Sequence, residues 1–229
     1  MNNYIIMPEK GTLSRIIELN EDLIENNNII AAHNKERFIK NKIKSFEIVG
    51  AIGAGKTSIL EAIINILPKK DEILVINGDI TTRIDADRIE KCGVKTIQIN
   101  TGRECALNSY HISQVLNDVS LNDYNYIFIE NVGNLICPSD FILGVEKRII
   151  VVSITEGEWV IKKHPLLFKM SDIVIINKID LLDIIDIEIE DMINDAKEIN
   201  PNIRIFTLSA KTGVNVEELT NILVEEKIH

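Results

Sequence analysis

Cysteine is scarce: Cys92, Cys105 and Cys137 are the three in 229 residues, too few and too scattered for a disulfide framework. In a reducing compartment each is then a buried thiol, a metal ligand or a nucleophile. Long apolar runs are missing. No stretch reaches the roughly 18 residues that spanning a bilayer requires, and the N-terminus lacks the basic-then-apolar layout of a secretory leader. The expectation is a cytoplasmic protein with no membrane contact. Positive charge is also short, since 25 Lys and Arg against 35 Asp and Glu leave a net charge of −10. That balance excludes a general nucleic-acid binder, which needs an electropositive footprint to displace counterions from a phosphate backbone. There is no internal repeat, no low-complexity tract and no Cys-x-x-Cys or histidine-rich segment near the N-terminus.

What is present suits one large α/β domain, with 45% apolar residues to fill its core. Leu13, Ile16, Ile17, Leu19, Leu23, Ile24, Ile30 and Ala31 recur at helical spacing. They predict one or two amphipathic helices over about 12–40, a helical N-terminal extension covering 1–44 before a nucleotide-binding domain at 45–229. Short apolar β-branched runs then alternate with helical patterns. Strands are predicted at 45–50, 72–77, 95–99, 124–130, 147–154, 172–176 and 203–207. Near-continuous runs such as Ile73-Leu74-Val75-Ile76 suit strands buried on both faces, so the expected fold is a P-loop α/β architecture with a mostly parallel central sheet flanked by helices. In such a sheet ligands sit outside the carboxyl ends of the strands.

Residues 50–57 read Gly-Ala-Ile-Gly-Ala-Gly-Lys-Thr directly after the apolar run at Phe46, Ile48 and Val49, a complete GxxxxGK[ST] signature. Its glycines let the backbone wrap phosphate oxygens, and N–H groups at the following helix start point at the anion. Gly53, Ala54, Gly55, Lys56, Thr57 and Ser58 are therefore the expected phosphate-binding residues, with Lys56 offsetting charge and Thr57 holding Mg²⁺. The strand at 172–176 runs into Asn177-Lys178-Ile179-Asp180. A carboxylate there accepts from the ring N1–H and 2-amino group of guanine, which adenine cannot offer, so GTP is the expected nucleotide. Asn177 braces the loop, and the aliphatic stem of Lys178 covers the base. Ser209-Ala210-Lys211 looks like the backup base-binding loop of GTPases, its Ala210 N–H meeting the guanine O6. Glu130, at the end of another strand, can hold Mg²⁺ through water, and Gly133 can approach a γ-phosphate. Asp79 either serves Mg²⁺ and the attacking water or forms a turn. Asp85 is equally readable as part of a Thr82-x-x-Asp85 capping box. Lys56, Asp79 and Glu130 are the catalytic candidates, acting by electrostatics and water orientation.

Cys105 is expected to open a helix, and Cys137 lies four residues beyond Gly133, both on the nucleotide side of the sheet. Two cysteines on separate loops at one sheet end favour metal ligation; Cys92 reads as structural. The series Gly78-Asp79, Asn100-Thr101-Gly102, residues 130–138 as Glu-Asn-Val-Gly-Asn-Leu-Ile-Cys-Pro, Thr155-Glu156-Gly157 and residues 177–180 resembles the nickel-insertion GTPases of hydrogenase maturation, the HypB type, from about residue 30 onward. The resemblance implies a metallochaperone that dimerises when GTP-loaded, hydrolyses GTP slowly, and works with other hydrogenase maturation proteins and the hydrogenase large subunit. It also implies a metal site at the dimer interface made by Cys105 and Cys137, four thiolates from two chains suiting one Zn²⁺ or Ni²⁺. In that family histidine follows the first cysteine, whereas this chain has Ala106; His111 reads as an exposed helix residue and His164 is unassigned. Met1 to Gly11 carries neither the cysteine motif nor the histidine tract of some members, which argues against bulk nickel storage. The alternatives are a GTP-binding regulatory module without metal transfer, a urease-type nickel-insertion GTPase, and a small-molecule kinase, against which Asn177 to Asp180 argues.

Overall fold

The computed structural model describes residues 19–225, so the readings on Met1 to Gly11 and on Leu13, Ile16 and Ile17 lie outside the described residues. Seven strands form one sheet in the order β3-β2-β4-β1-β5-β6-β7, and every neighbouring pair is parallel. They are β1 (Lys44–Gly50), β2 (Ile73–Asp79), β3 (Lys95–Asn100), β4 (Tyr126–Glu130), β5 (Lys147–Ser153), β6 (Ile173–Asn177) and β7 (Arg204–Leu208). The helices are α1 (Leu19–Lys40), α2 (Lys56–Ile66), α3 (Ile84–Glu90), α4 (Ser109–Asp118), the short α5 (Val160–Lys163) and α6 (Pro165–Lys169), α7 (Ile189–Ile199) and α8 (Val216–Glu225). Among the described residues no helix is long and apolar enough to cross a membrane.

Side-chain alternation along each strand divides the core between the two faces. Ile149 and Val151 of β5 join Phe46 and Ile48 of β1 in a cluster with α2 and α8, while Ile150 and Val152 pack with Val160, Leu167 and Met192 on the opposite side. Leu74, Ile76, Ile127 and Ile129 meet Ile112 and Leu116 of α4 and Phe38 of α1 in a third cluster. Helices on both faces explain the unbroken apolar runs, because neither face of these strands meets water. Because all strands run one way, Gly50, Asp79, Glu130 and Asn177 end theirs at the same edge of the sheet.

Only part of the apolar stripe expected on α1 is buried. Ala31 is buried as expected, but Leu23 and Ile24 are exposed, and the helix also buries Asn27, Asn34 and Phe38. The amides are buried because they pair with backbone groups of two neighbouring segments. Asn27 Oδ1 accepts from Ser109 N–H at 2.8 Å and its Nδ2 donates to Ile142 O at 2.9 Å. Asn34 Nδ2 donates to Ser109 O at 2.9 Å and to Leu143 O at 3.2 Å. A helix read as amphipathic is thus fastened partly by hydrogen bonds, which hydrophobic periodicity does not register. Asn34→Ala leaves buried carbonyls unpaired and is expected to lower stability by about 1–3 kcal/mol. Urea unfolding measures this; a change below about 0.5 kcal/mol would detach α1 from the rest of the fold.

Candidate nucleotide and metal site

The loop from β1 to α2 closes against the end of β6. Gly55 has φ 101, and a Cβ there would lie 2.3 Å from Asn177 Nδ2, so glycine meets both a backbone and a steric demand. Asn177 donates from Nδ2 to Ala54 O at 2.9 Å and accepts from Ala210 N–H at 3.1 Å, joining the phosphate loop to the loop after β7. The Ala210 N–H expected to face a base oxygen is engaged by Asn177 here. Lys178 donates to Gly53 O at 2.7 Å, and Ser209 Oγ donates to Asp180 Oδ1 at 2.6 Å. Gly55, Ser58, Asn177, Lys178, Asp180, Ala210 and Lys211 are among the residues lining an open cavity of ≈ 490 Å³ beside the loop.

Lys56, almost fully buried, donates to Gly50 O at 3.1 Å and Ala51 O at 3.2 Å. Burial lowers its pKa, with Glu130 and Asp85 pulling the other way. Thr57 Oγ1 lies 2.7 Å from Glu130 Oε1 and 2.9 Å from Asp85 Oδ1. One hydroxyl has one proton to give, so two ionised carboxylates at these distances leave a lone pair facing a charge. Burial accordingly pushes the Glu130 carboxyl up to about 7, against the pull of Lys56 and of the Thr57 hydroxyl. A hydroxyl and two carboxylates, all oxygen donors converging beside the phosphate loop, are a donor set that fits Mg²⁺. Asn77 Nδ2 donates to the other Glu130 oxygen at 3.0 Å. Gly133 is placed against the phosphate loop, where a Cβ would come within 2.5 Å of Ile52 Cγ1.

The structure separates the two aspartates. Asp79 turns toward its own loop, accepting from Thr82 Oγ1 at 2.6 Å and Thr81 N–H at 3.2 Å. Burial raises its pKa, but the Thr82 hydroxyl and the Thr81 amide outweigh this and hold it below the usual carboxylate range. Thr82 does not cap α3, whose N-cap is Arg83, so the Thr82-x-x-Asp85 box is not formed. Asp85 faces Thr57, and Arg88 flanks it, binding Glu61 at 2.6 Å and Ser58 at 3.0 Å with Asp85 at 3.5 Å. Spacing on α3 puts Asp85 and Arg88 on one face, a signal that the capping pattern masked.

The cysteines differ most from expectation. Cys105 does not open a helix: α4 begins at Ser109, capped by Asn108. Cys105 and Cys137 are joined by a disulfide with Cα atoms 6.1 Å apart, where sequence distance argued against any pairing. The loops after β3 and β4 meet at one edge because both strands flank β2. Cys92 is a free, half-buried thiol with its pKa raised by burial. His111 is not an exposed histidine; its Nδ1 accepts from Asn108 N–H at 3.2 Å in a capping box. His164 Nδ1 lies 2.8 Å from Val160 O at the α5–α6 junction. Among the described residues no group of three or more His, Cys, Asp and Glu is arranged to hold a metal within one chain.

The sequence profile described as CobW/HypB/UreG, nucleotide-binding domain, matches residues 45–207. The probable hydrogenase maturation factor HypB of Methanocaldococcus jannaschii is 44% identical over 197 residues, covering 86% of this chain and 89% of that protein. The crystal structure of hydrogenase maturation factor HypB from Archaeoglobus fulgidus superposes with a TM-score of 0.81 at 38% identity, covering 87% of this chain and 98% of that one. HypB from Helicobacter pylori in complex with nickel gives 0.81 at 34% identity, with 87% and 94% covered.

Glu130 also makes stability depend on pH. Its carboxyl titrates at about 7 in the folded chain and near 4.5 when free. Between these values only the folded state holds the proton, so this contribution is complete below about 4.5 and is lost as pH rises through about 7. Glu130→Gln is neutral throughout. In metal-free buffer, wild-type stability relative to this variant is expected to fall between pH 5 and 7, by up to about 1.4 kcal/mol per unit, and then level off. Parallel unfolding curves for the two proteins would place the Glu130 pKa in the ordinary range.

Proposed function

The chain belongs to the HypB branch of the CobW/HypB/UreG family of nucleotide-binding proteins, and from that premise we propose that it is a slow GTPase that delivers nickel during hydrogenase maturation. The observation that carries the reading is the continuity of one loop. Glu130 beside Thr57 and Cys137 on the same segment are separated by six residues, so a change at the phosphate site has a short covalent path to a thiol.

In this reading the triphosphate lies on the phosphate loop, and Lys56 leaves the Gly50 and Ala51 carbonyls to face its oxygens. Asp180 accepts from the guanine N1–H and 2-amino group, while Asn177 keeps the two flanking loops in register. Mg²⁺, when bound, neutralises charge developing on the phosphoryl oxygens, and Thr57, Glu130 and Asp85 are the residues that would hold it. Asp85 joins Glu130 as a metal-side acid on its distance to Thr57, and the attacking water is oriented by Glu130, or by Asp79 once it leaves Thr81 and Thr82. Gly133 lets the loop N–H approach the γ-phosphate. No glutamine or arginine finger is assigned, which fits slow turnover.

For the cargo, thiol–disulfide exchange with a dithiol reductant converts the Cys105–Cys137 bond to two thiols while the dithiol becomes a disulfide. Two thiolates from each chain of a GTP-loaded homodimer then make one four-coordinate site for Ni²⁺ or Zn²⁺. Ala106, in the place where the family resemblance implies a histidine, has no side-chain donor atom, so sulfur alone supplies the donors. The clients are the hydrogenase large subunit and its other maturation proteins.

Two measurements test this. Competition binding should show GTP preferred over ATP by about 10⁴, with the preference lost in Asp180→Ala; equal affinity for adenine nucleotides would replace the GTPase with a small-molecule kinase. Metal analysis of the reduced, GTP-analogue-loaded dimer should give about one ion per two chains. The air-oxidised protein and the Cys105→Ser, Cys137→Ser double variant should bind far less, and unchanged metal content in both would rule out the thiolate site.

A further inference from the structure

Two asparagines outside the nucleotide contacts lie in the loop after β4, and each reaches toward one cysteine. Asn131 is buried. Its Oδ1 accepts from Leu107 N–H at 2.8 Å and from Val132 N–H at 2.9 Å, and its Nδ2 donates to Glu47 at 2.7 Å. Leu107 is two residues past Cys105, and Asn131 itself follows Glu130. Asn134 donates its backbone N–H to Gly50 O at 3.1 Å, the carbonyl that also accepts from Lys56 Nζ at 3.1 Å. Its side chain faces the other way. Oδ1 accepts from Ile136 N–H at 2.7 Å and Cys137 N–H at 3.2 Å, and Nδ2 donates to Cys137 Sγ at 3.3 Å.

We propose that Asn131 and Asn134 are positioning residues that carry the nucleotide state to the two sulfurs, Asn131 to Cys105 and Asn134 to Cys137. The inference rests on the reading of these cysteines as metal donors. The fixed ends of each linkage are well defined. Glu47 is held by Arg148 at 2.8 Å in a buried ion pair, so the donor side of Asn131 is anchored in the sheet. Ser109 is held by Asn27 and Asn34 of α1. The Cys105 segment is thus held at Ser109 by α1 and at Leu107 by Asn131. A shift of the β4 end on triphosphate binding moves Asn131, and with it the Leu107 amide. At the second linkage, a triphosphate draws Lys56 away and leaves the Gly50 carbonyl to Asn134 alone. Strengthening that bond pulls the Asn134 backbone toward the phosphate loop, and the side chain takes Cys137 with it. Each step is a hydrogen bond whose donor and acceptor are named, so both cysteines answer to one event at the phosphate site.

The test measures Zn²⁺ affinity of the reduced full chain by competition with a chromophoric chelator, in GDP and in a non-hydrolysable GTP analogue. The wild-type affinities are expected to differ at least about fivefold, within the usual range of coupling between sites. Asn134→Ala removes the side-chain hold on Ile136 and Cys137, at a half-buried position, and Asn131→Ser is too short to span Leu107 and Glu47. Each variant is expected to bring the ratio to within about twofold of unity while analogue affinity stays within about threefold. A wild-type ratio that survives both changes overturns the assignment of the asparagines and leaves the metal reading standing. Zinc binding that is unaffected by Cys105→Ser and Cys137→Ser overturns the metal reading itself. Hydrogen exchange on the wild type provides a second readout that does not depend on a variant folding. The Leu107 and Cys137 amides are expected to exchange more slowly with the analogue than with GDP, and equal exchange overturns the proposal.

Discussion

One hydroxyl proton shared between two carboxylates at Thr57 is the constraint around which this molecule is organised. β1 and β4 are neighbours, with Ile48 in register with Glu130, so the first residue beyond the apolar part of β4 is delivered to the start of α2. Asp85 arrives from the other side on α3. Burial at this meeting point, with a lesser push from Asp85, raises the Glu130 carboxyl to about 7, above the range of an ordinary glutamate. A cation in that position removes the conflict at once. Binding energy at the phosphate site is thereby linked to the exact position of β4's end and of everything attached to it.

The polar skeleton behind the sheet extends the same logic. Glu47 and Arg148 are an ion pair with almost no solvent exposure, on adjacent strands. Such pairs contribute little net stability once desolvation is counted, but removing one partner is costly because the other is left uncompensated. Here Glu47 also receives Asn131, and Arg148 donates to Phe141 O at 2.6 Å. The pair therefore ties the loop after β4 at two places to the sheet's centre. Together with the buried amides of α1, it holds Leu107, Ser109, Phe141 and Leu143, each within a few residues of one cysteine.

The convergence of the loops after β1, β6 and β7 at one edge of the sheet was legible in the sequence because its signals are local. Glycine spacing, a lysine and threonine at a helix start, and Asn177 to Asp180 at a strand end each need only a few consecutive residues and a strand before them. The alternation of buried strands and helices was equally direct, since apolar runs such as Ile149 to Val152 report two covered faces. What sequence reasoning missed depends on partners distant in the chain. Asn27 and Asn34 look like solvent-facing amides until Ser109 and the 142–143 backbone are brought beside them. Asp85 looks like a cap until α3 is laid against α2. Cys105 and Cys137 look unrelated until β2 is seen to lie between the strands that precede them. In each case a local pattern competed with a tertiary contact, and the contact decided.

The crosslink between the cysteines closes a stretch with a sequence separation of 32 that contains α4 and β4. By the chain-entropy account, closing a loop of that length restricts the unfolded state by about 3–4 kcal/mol. The oxidised form is then the more robust protein, and neither Cys105 nor Cys137 is a free thiol in it. Any purification that rewards heat resistance or long storage in air enriches the oxidised state, in which the metal site proposed for these two sulfurs cannot form. Under the proposed metal role, durability and competence are opposite settings of a single bond.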